Sequence, residues 1–249
     1  MIIKRQIHQT THSEREVPGG RRIVLEFRAG GDAIPAILLL PREARSAPGA
    51  LLLHGYSSRK EHMAEGVGGS LLRHGIATLA IDLPLHGTRA DPLQAQAARN
   101  PLALVGLWRQ ALKEARLAMR YLAARPEVDA GCLAIAGYSL GSFLSVMTAA
   151  DDPSIRAVVL AAGGDLPGGT PLAGIARTVA DPVRAVRKLN GRPLLMVHGR
   201  QDRTVRPEQA ERLYAAASEP KELRWWNAGH ILPPAAIDYA AEWLRNRLG

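Results

Sequence analysis

Gly137-Tyr138-Ser139-Leu140-Gly141 follows the apolar run Cys132-Leu133-Ala134-Ile135-Ala136 and leads into Gly141–Ala150, a stretch of small and apolar residues. The order predicts a strand, a sharp turn and a helix. The match to G-x-S-x-G has a physical reason. A serine at such a turn sits on a strained backbone, and small residues two positions to either side avoid a clash. Its hydroxyl then stands clear of the sheet, at the N-terminus of the next helix. There, backbone N–H groups and a partial positive charge face any developing oxyanion. Five residues alone are a weak signal, and an ordinary glycine-bounded turn is the competing reading. The flanking strand and helix weigh against it.

Outward from that turn, the chain alternates β-rich runs with helical ones. Towards the N-terminus, Arg21–Arg28 alternates polar and apolar residues, and Ala33–Leu40 is its expected hairpin partner across Gly30-Gly31-Asp32. Ala50–His54 and Ala77–Leu83 are short continuous apolar runs, as strands covered on both faces require. A helix is expected near His62–His74. Pro101–Ala124 carries Leu104, Leu107, Trp108, Ala111, Leu112, Ala115 and Met119 at helical spacing. Beyond the turn, Ala157–Ala162, Leu194–Val197 and Glu222–Trp226 read as strands, with helices at Pro207–Ala217 and Pro234–Leu248. A hairpin followed by repeated βα units calls for an α/β fold: a mostly parallel twisted sheet with helices on both faces. One domain over residues 1–249 is expected, with a small lid-like insertion at about 164–190. That segment would cross the carboxyl ends of the strands, where ligands bind in such sheets.

A serine hydroxyl needs a base, and the base an orienting carboxylate. In this architecture the chain order is serine, acid, histidine. Of the eight histidines only His198 and His230 follow Ser139. His198 ends an apolar strand, whereas His230 lies in the loop Asn227-Ala228-Gly229-His230 before a proline-opened helix, within reach of the serine. A surface loop histidine is the alternative reading of His230. Asp202, a few residues past the penultimate strand, is the favoured acid. Asp165, in Gly163-Gly164-Asp165, is the runner-up, and Asp181 before Pro182 reads as a helix cap. Ala50-Leu51-Leu52-Leu53-His54-Gly55-Tyr56 places a second turn after a buried strand. The backbone N–H of Tyr56, paired with that of Leu140, is the expected oxyanion hole. His54 reads as a prop of that loop rather than a second base.

Composition narrows the rest. A net charge of +9 invites nucleic acid, but the basic residues are dispersed and aromatics amount to 4%, too few for a base-stacking platform. No apolar run reaches the roughly 18 residues of a membrane span, and the polar N-terminus lacks a secretory h-region; a cytoplasmic location is the expectation. No H-E-x-x-H or Cys-His cluster is present, so neither a metal nor another cofactor is expected. Gly66-Val67-Gly68-Gly69 lacks the Lys-Ser/Thr of a phosphate loop and suggests close helix packing. His86-Gly87 is expected to shape its loop and to border the pocket, near Arg89. Trp108, Trp225 and Trp226 read as core. Cys132, the single cysteine, reads as a small buried hydrophobe. Nothing in the composition fixes an oligomeric state.

Four markers in order, His54-Gly55-Tyr56, Asp82-Leu83-Pro84-Leu85-His86-Gly87, the Ser139 turn, and His198-Gly199-Arg200-Gln201-Asp202 with Gly229-His230, resemble the α/β-hydrolase superfamily. Tyr56 and Lys60-Glu61-His62 are similar to its dienelactone-hydrolase-like and prolyl-oligopeptidase-like esterases. The resemblance implies a serine carboxylic-ester hydrolase acting on a small-molecule ester, without cofactor. It departs from the pattern where a dienelactone hydrolase would use cysteine and this chain has Ser139. The chain also has no room for the propeller of an acyl-peptide hydrolase, and its lid is shorter than those of many lipases. A serine peptidase or amidase on the same triad, and a hydrolase-fold binding protein with little turnover, stay open at this point.

Overall fold

A computed structural model describes residues 7–42, 44–90, 101–167, 177 and 180–248. Its strands are β1 (His8–Val17), β2 (Gly20–Arg28), β3 (Ile34–Pro41), β4 (Ala47–Leu53), β5 (Ala77–Ile81), β6 (Val128–Tyr138), β7 (Ile155–Ala161), β8 (Leu194–Gly199) and β9 (Lys221–Trp226). They form one sheet in the order β1-β2-β3-β5-β4-β6-β7-β8-β9. The first three pair antiparallel and β3 joins β5 antiparallel; every later pairing is parallel. The helices are α1 (Lys60–Met63), α2 (Gly69–Arg73), α3 (Pro101–Ala123), α4 (Leu140–Asp151), α5 (Pro182–Arg187), α6 (Pro207–Ala216) and α7 (Pro234–Leu248). A π turn at Ala64–Gly68 joins α1 to α2, where the sequence suggested one uninterrupted helix. The expected α/β-hydrolase architecture is thus present.

The alternation of side chains along each strand divides the core in two. Leu51, Leu53 and Ile135 face one side and pack with Leu112 and Ala115 of α3 and Leu144 and Val146 of α4. Ala50, Leu52, Ala134 and Ala136 face the other and meet Met63, Leu71, and the Ala236, Ala240 and Leu244 face of α7. Continuous apolar runs such as Leu51-Leu52-Leu53 follow from this two-sided covering. Trp108, Trp225 and Trp226 are half-buried and pack against these clusters, as expected.

Three expectations need correction. The hairpin of β2 and β3 has a third strand before it, β1. Nine of its ten residues are exposed and it pairs only with β2, so it carries no alternation to read. β6 begins at Val128, earlier than the apolar run, because Asp129-Ala130-Gly131 continues the strand as an exposed stretch. Cys132 sits at the end of that stretch and is partly exposed beside Asp129 rather than buried. Of the suggested lid, residues 168–176, 178 and 179 lie outside those described. Within the rest, Asp181 caps α5 by accepting the Arg184 N–H at 2.9 Å, as its place before a proline suggested.

Strand order positions the site. β4 leads outward to β5, while β6 lies on its other side and begins the run towards β9. At that reversal the loops leaving β4 and β6 part, which opens a crevice at the carboxyl ends of the strands. His54-Gly55-Tyr56 leaves β4 and Ser139 leaves β6, with Leu53 and Gly137 in register.

Candidate active site

Ser139 occupies a tight turn between β6 and α4. Its φ of 50° and ψ of −112° lie outside the comfortable regions for a residue with a side chain. The glycines explain how the turn closes. A Cβ on Gly137 would stand 2.1 Å from the Gly141 oxygen, and one on Gly141 would stand 2.0 Å from the Leu53 oxygen. The serine N–H donates to Ala161 O at 2.8 Å. Ser142 adds a clamp, its hydroxyl within 2.8 Å of Gly137 O and 2.7 Å of Ala161 O.

His230 approaches from the loop between β9 and α7. Its Nε2 is 3.0 Å from Ser139 Oγ, and its Nδ1 is 2.8 Å from Asp202 Oδ2. With Nδ1–H donating to the carboxylate, Nε2 is left as acceptor for the serine hydroxyl. Asp202 is buried, yet both its oxygens are satisfied: Oδ1 accepts the N–H groups of Thr204 at 2.8 Å and Val205 at 3.0 Å. A carboxylate held this way keeps its direction without a solvent shell. The structure therefore brings Ser139, His230 and Asp202 together.

Asp165, the other candidate acid, is committed elsewhere. Its Oδ2 accepts from Arg177 at 2.9 Å and Arg212 at 3.1 Å. Burial works against its charge, but those guanidinium hydrogen bonds win and hold the carboxyl below its usual range. His198 is wholly buried, and its Nε2 donates to Val205 O at 2.9 Å, so it braces the Asp202 loop from beneath. Desolvation lowers its pKa, which keeps it neutral there.

The oxyanion candidates flank the serine. A Cβ on Gly55 would lie 3.3 Å from Ser139 Cβ, which shows how closely the His54-Gly55-Tyr56 turn abuts the serine. The N–H groups of Tyr56 and Leu140 take no partner in the hydrogen-bond network of the described residues. His54 is a prop. Its Nδ1 donates to Gly55 O at 2.8 Å, and its Nε2 accepts the Leu83 N–H at 3.1 Å. Desolvation is the main reason its pKa falls to about 4. His86 stacks edge-on against Tyr56 and binds Pro84 O at 2.7 Å. His86-Gly87, expected to border the pocket, is not among the described residues that line the cavity beside Ser139, and the neighbouring Arg89 pairs with Glu114 through two hydrogen bonds, at 2.5 and 3.0 Å. Gly68 packs closely: a Cβ there would come within 3.1 Å of Thr78 Oγ1.

Two features escaped the sequence. Asp82 is buried and receives the Lys60 ammonium at 2.8 Å, the Lys60 N–H at 2.9 Å and the Thr88 N–H at 3.0 Å. Burial would raise its pKa, but these donors outweigh it and lower it. This knot ties the start of α1 to the loop after β5, and so steadies the Tyr56 turn. Tyr138 lies next to Ser139 in the chain. Its hydroxyl donates to His230 O and accepts the Leu232 N–H at 3.0 Å, holding the histidine loop at both ends. Burial raises the phenol's pKa, so it stays a neutral donor. Its place inside the serine turn was the one available signal.

A cavity of about 600 Å³ opens beside Ser139 and His230. Among the described residues no helix is long and apolar enough to cross a membrane, and no cluster of His, Cys, Asp and Glu is arranged to hold a metal ion.

The profile of the dienelactone hydrolase family matches residues 34–231. No protein of curated function matches the sequence. Among solved structures, TT1662 from Thermus thermophilus is similar at 25% identity and TM-score 0.72, over 86% of this chain and 94% of that one. Acetyl xylan esterase 1 from Thermoanaerobacterium sp. JW/SL YS485 shares the fold at 17% identity and TM-score 0.77, over 99% of this chain and 89% of that one. A cold-adapted esterase from an Arctic intertidal metagenomic library does so at 21% identity and TM-score 0.70, over 95% and 97%.

Proposed function

We propose that this chain, which belongs to the dienelactone hydrolase family, is a serine carboxylesterase that works through a covalent acyl-enzyme. The family makes it an ester-hydrolysing enzyme of the α/β-hydrolase fold. One observation carries the serine mechanism: Ser139 Oγ, His230 and Asp202 form a continuous relay, with links of 3.0 and 2.8 Å.

His230 Nε2 takes the Ser139 proton as the oxygen attacks the ester carbonyl. Asp202 holds the ring and stabilises the imidazolium. The carbonyl oxygen, now negative, receives the N–H groups of Tyr56 and Leu140, the latter at the N-terminus of α4. The tetrahedral intermediate collapses, the C–O bond to the alcohol breaks, and His230 returns the proton to the leaving oxygen. Water then enters, gives a proton to His230, and attacks the acyl carbon. The second collapse releases the acid and restores the serine proton. No step calls for a metal or another cofactor. We take residues 1–249 as one catalytic domain, with 164–190 as its insertion.

The test is turnover of p-nitrophenyl acetate by the wild type, Ser139→Ala and His230→Ala. Each variant is expected to lose about three orders of magnitude or more in kcat. Retention of a tenth of wild-type turnover by Ser139→Ala would overturn the reading. Faster cleavage of aminoacyl anilides than of matched esters would replace an esterase with an amidase.

A further inference from the structure

The cavity beside Ser139 does not stay at the carboxyl ends of the strands, where the rest of the site lies. It runs down one face of the sheet into the core. Its inner wall is Ala136, Val159 and Val197 on the sheet, opposed by Ala240 and Leu244 of α7, with Val67 of the π turn at the side. Most of these belong to the second core cluster, so the space is carved out of that core rather than added above it. Its polar side chains lie towards the strand ends, among them Ser58 and Thr204 of the loops, Tyr138 at the end of β6 and His62 of α1, and no Asp, Glu, Lys or Arg is among the described lining residues. Alanines at 136, 161, 236 and 240 leave room that larger residues would close.

Resting on the serine-esterase reading, we propose that this space is an acyl-chain channel, and that the substrates are esters of medium-length, unbranched, uncharged acids. Two arguments favour hydrocarbon over a sugar or a charged acid. A polar group placed there would lose its water without gaining a partner. An acetyl group, whose methyl is about the size of one water, ~30 Å³, would leave most of the cavity unfilled. The acyl side is favoured over the alcohol by the order of events. The alcohol must depart before deacylation and water must replace it, so its route has to open to solvent. The acyl group stays bonded to Ser139 throughout and suits the buried arm. At the mouth, Tyr56 and Ile231 are exposed, and the leaving group passes between them and solvent.

The experiment is kcat/KM for p-nitrophenyl esters from acetate to laurate, with n-alkyl acetates as the alcohol series. Each methylene buried is expected to raise kcat/KM by up to about fourfold, the equivalent of ~0.8 kcal/mol, until the channel is full. Ala240→Phe should lower the octanoate-to-acetate ratio at least about twentyfold. Leu244→Ala should move the preferred length upward. A misfolded protein would not shift preference in opposite directions. A wild-type profile that is flat or falls from acetate, or one that rises only with alcohol length, would overturn the channel, while Ser139-dependent acetate cleavage kept the esterase reading intact. If no ester is cleaved, the esterase reading fails, and a thermal-shift titration still reads the cavity. Methyl octanoate should then stabilise Ser139→Ala, and Ala240→Phe in that background should abolish the effect. Equal stabilisation of both would contradict the channel.

Discussion

Tyr138→Phe removes one oxygen and leaves the ring. In the wild type that oxygen donates to His230 O and accepts the Leu232 N–H at 3.0 Å, so it clamps the two residues that flank Ile231. Each bond contributes about 0.5–1.5 kcal/mol net. Losing both should lower unfolding free energy by about 1–3 kcal/mol. The catalytic cost is separate. His230 Nε2 must sit 3.0 Å from Ser139 Oγ, and its loop loses an anchor at each end. If about 1–2 kcal/mol of that anchoring is spent on alignment, kcat falls about 5–30-fold, since 1.4 kcal/mol is a factor of ten. KM for a short ester should change little, because the ring still borders the cavity. The assay is steady-state hydrolysis of p-nitrophenyl acetate with urea unfolding on the same preparations. A variant that loses stability as expected but keeps kcat within twofold would refute the idea that Tyr138 positions the base.

Four further outcomes follow from the same contacts. Asp202→Asn should reduce kcat by about three to four orders of magnitude, as the loss of an orienting acid does; Asp165→Asn should lower thermal stability while leaving turnover near wild type, and the reverse pattern would exchange the two roles. Lys60→Met strands the buried Asp82 carboxylate and should cost about 3–5 kcal/mol in urea unfolding, with Lys60→Met/Asp82→Leu recovering much of it. His54 has a folded pKa of about 4 against 6.5 when free, so the unfolded chain takes the proton first as pH falls. Its contribution is complete above about pH 6.5 and is lost down to about pH 4, ~3 kcal/mol in all, measured by urea unfolding across that range and reduced in a His54→Asn variant. Gly137→Ala, whose Cβ would meet Gly141 O at 2.1 Å, should yield little folded protein or a displaced serine, seen as lost activity alongside a lowered melting temperature.

Much of the site is legible in the sequence because its chemistry demands an order. A serine turn needs glycines two residues away on either side, and a base has to come from a later loop. The acid is harder. Asp165 and Asp202 both follow strands, and only coordinates reveal that Arg177 and Arg212 occupy the first while backbone N–H groups and His230 occupy the second. β2 through β8 are visible because they bury one or both faces, and β9, half-buried, shows through its Leu223 and Trp225-Trp226. β1 is not, since a polar edge strand held by a single neighbour repeats nothing. Long-range partners escape for the same reason: the Tyr138 hydroxyl reaches a residue 92 positions away, and Lys60 reaches Asp82 across 22. The arm of the cavity is equally hidden, because alanines 136 and 240 look like ordinary core until the helix and the strand are seen apart.

The central claim is that Ser139 forms the covalent bond. Intact-mass and peptide mapping after treatment with a fluorophosphonate tests it directly. One adduct per chain is expected, on Ser139, absent from Ser139→Ala and formed far more slowly by His230→Ala. No adduct on the active wild type, or an adduct on another residue with esterase activity persisting in Ser139→Ala, would contradict it.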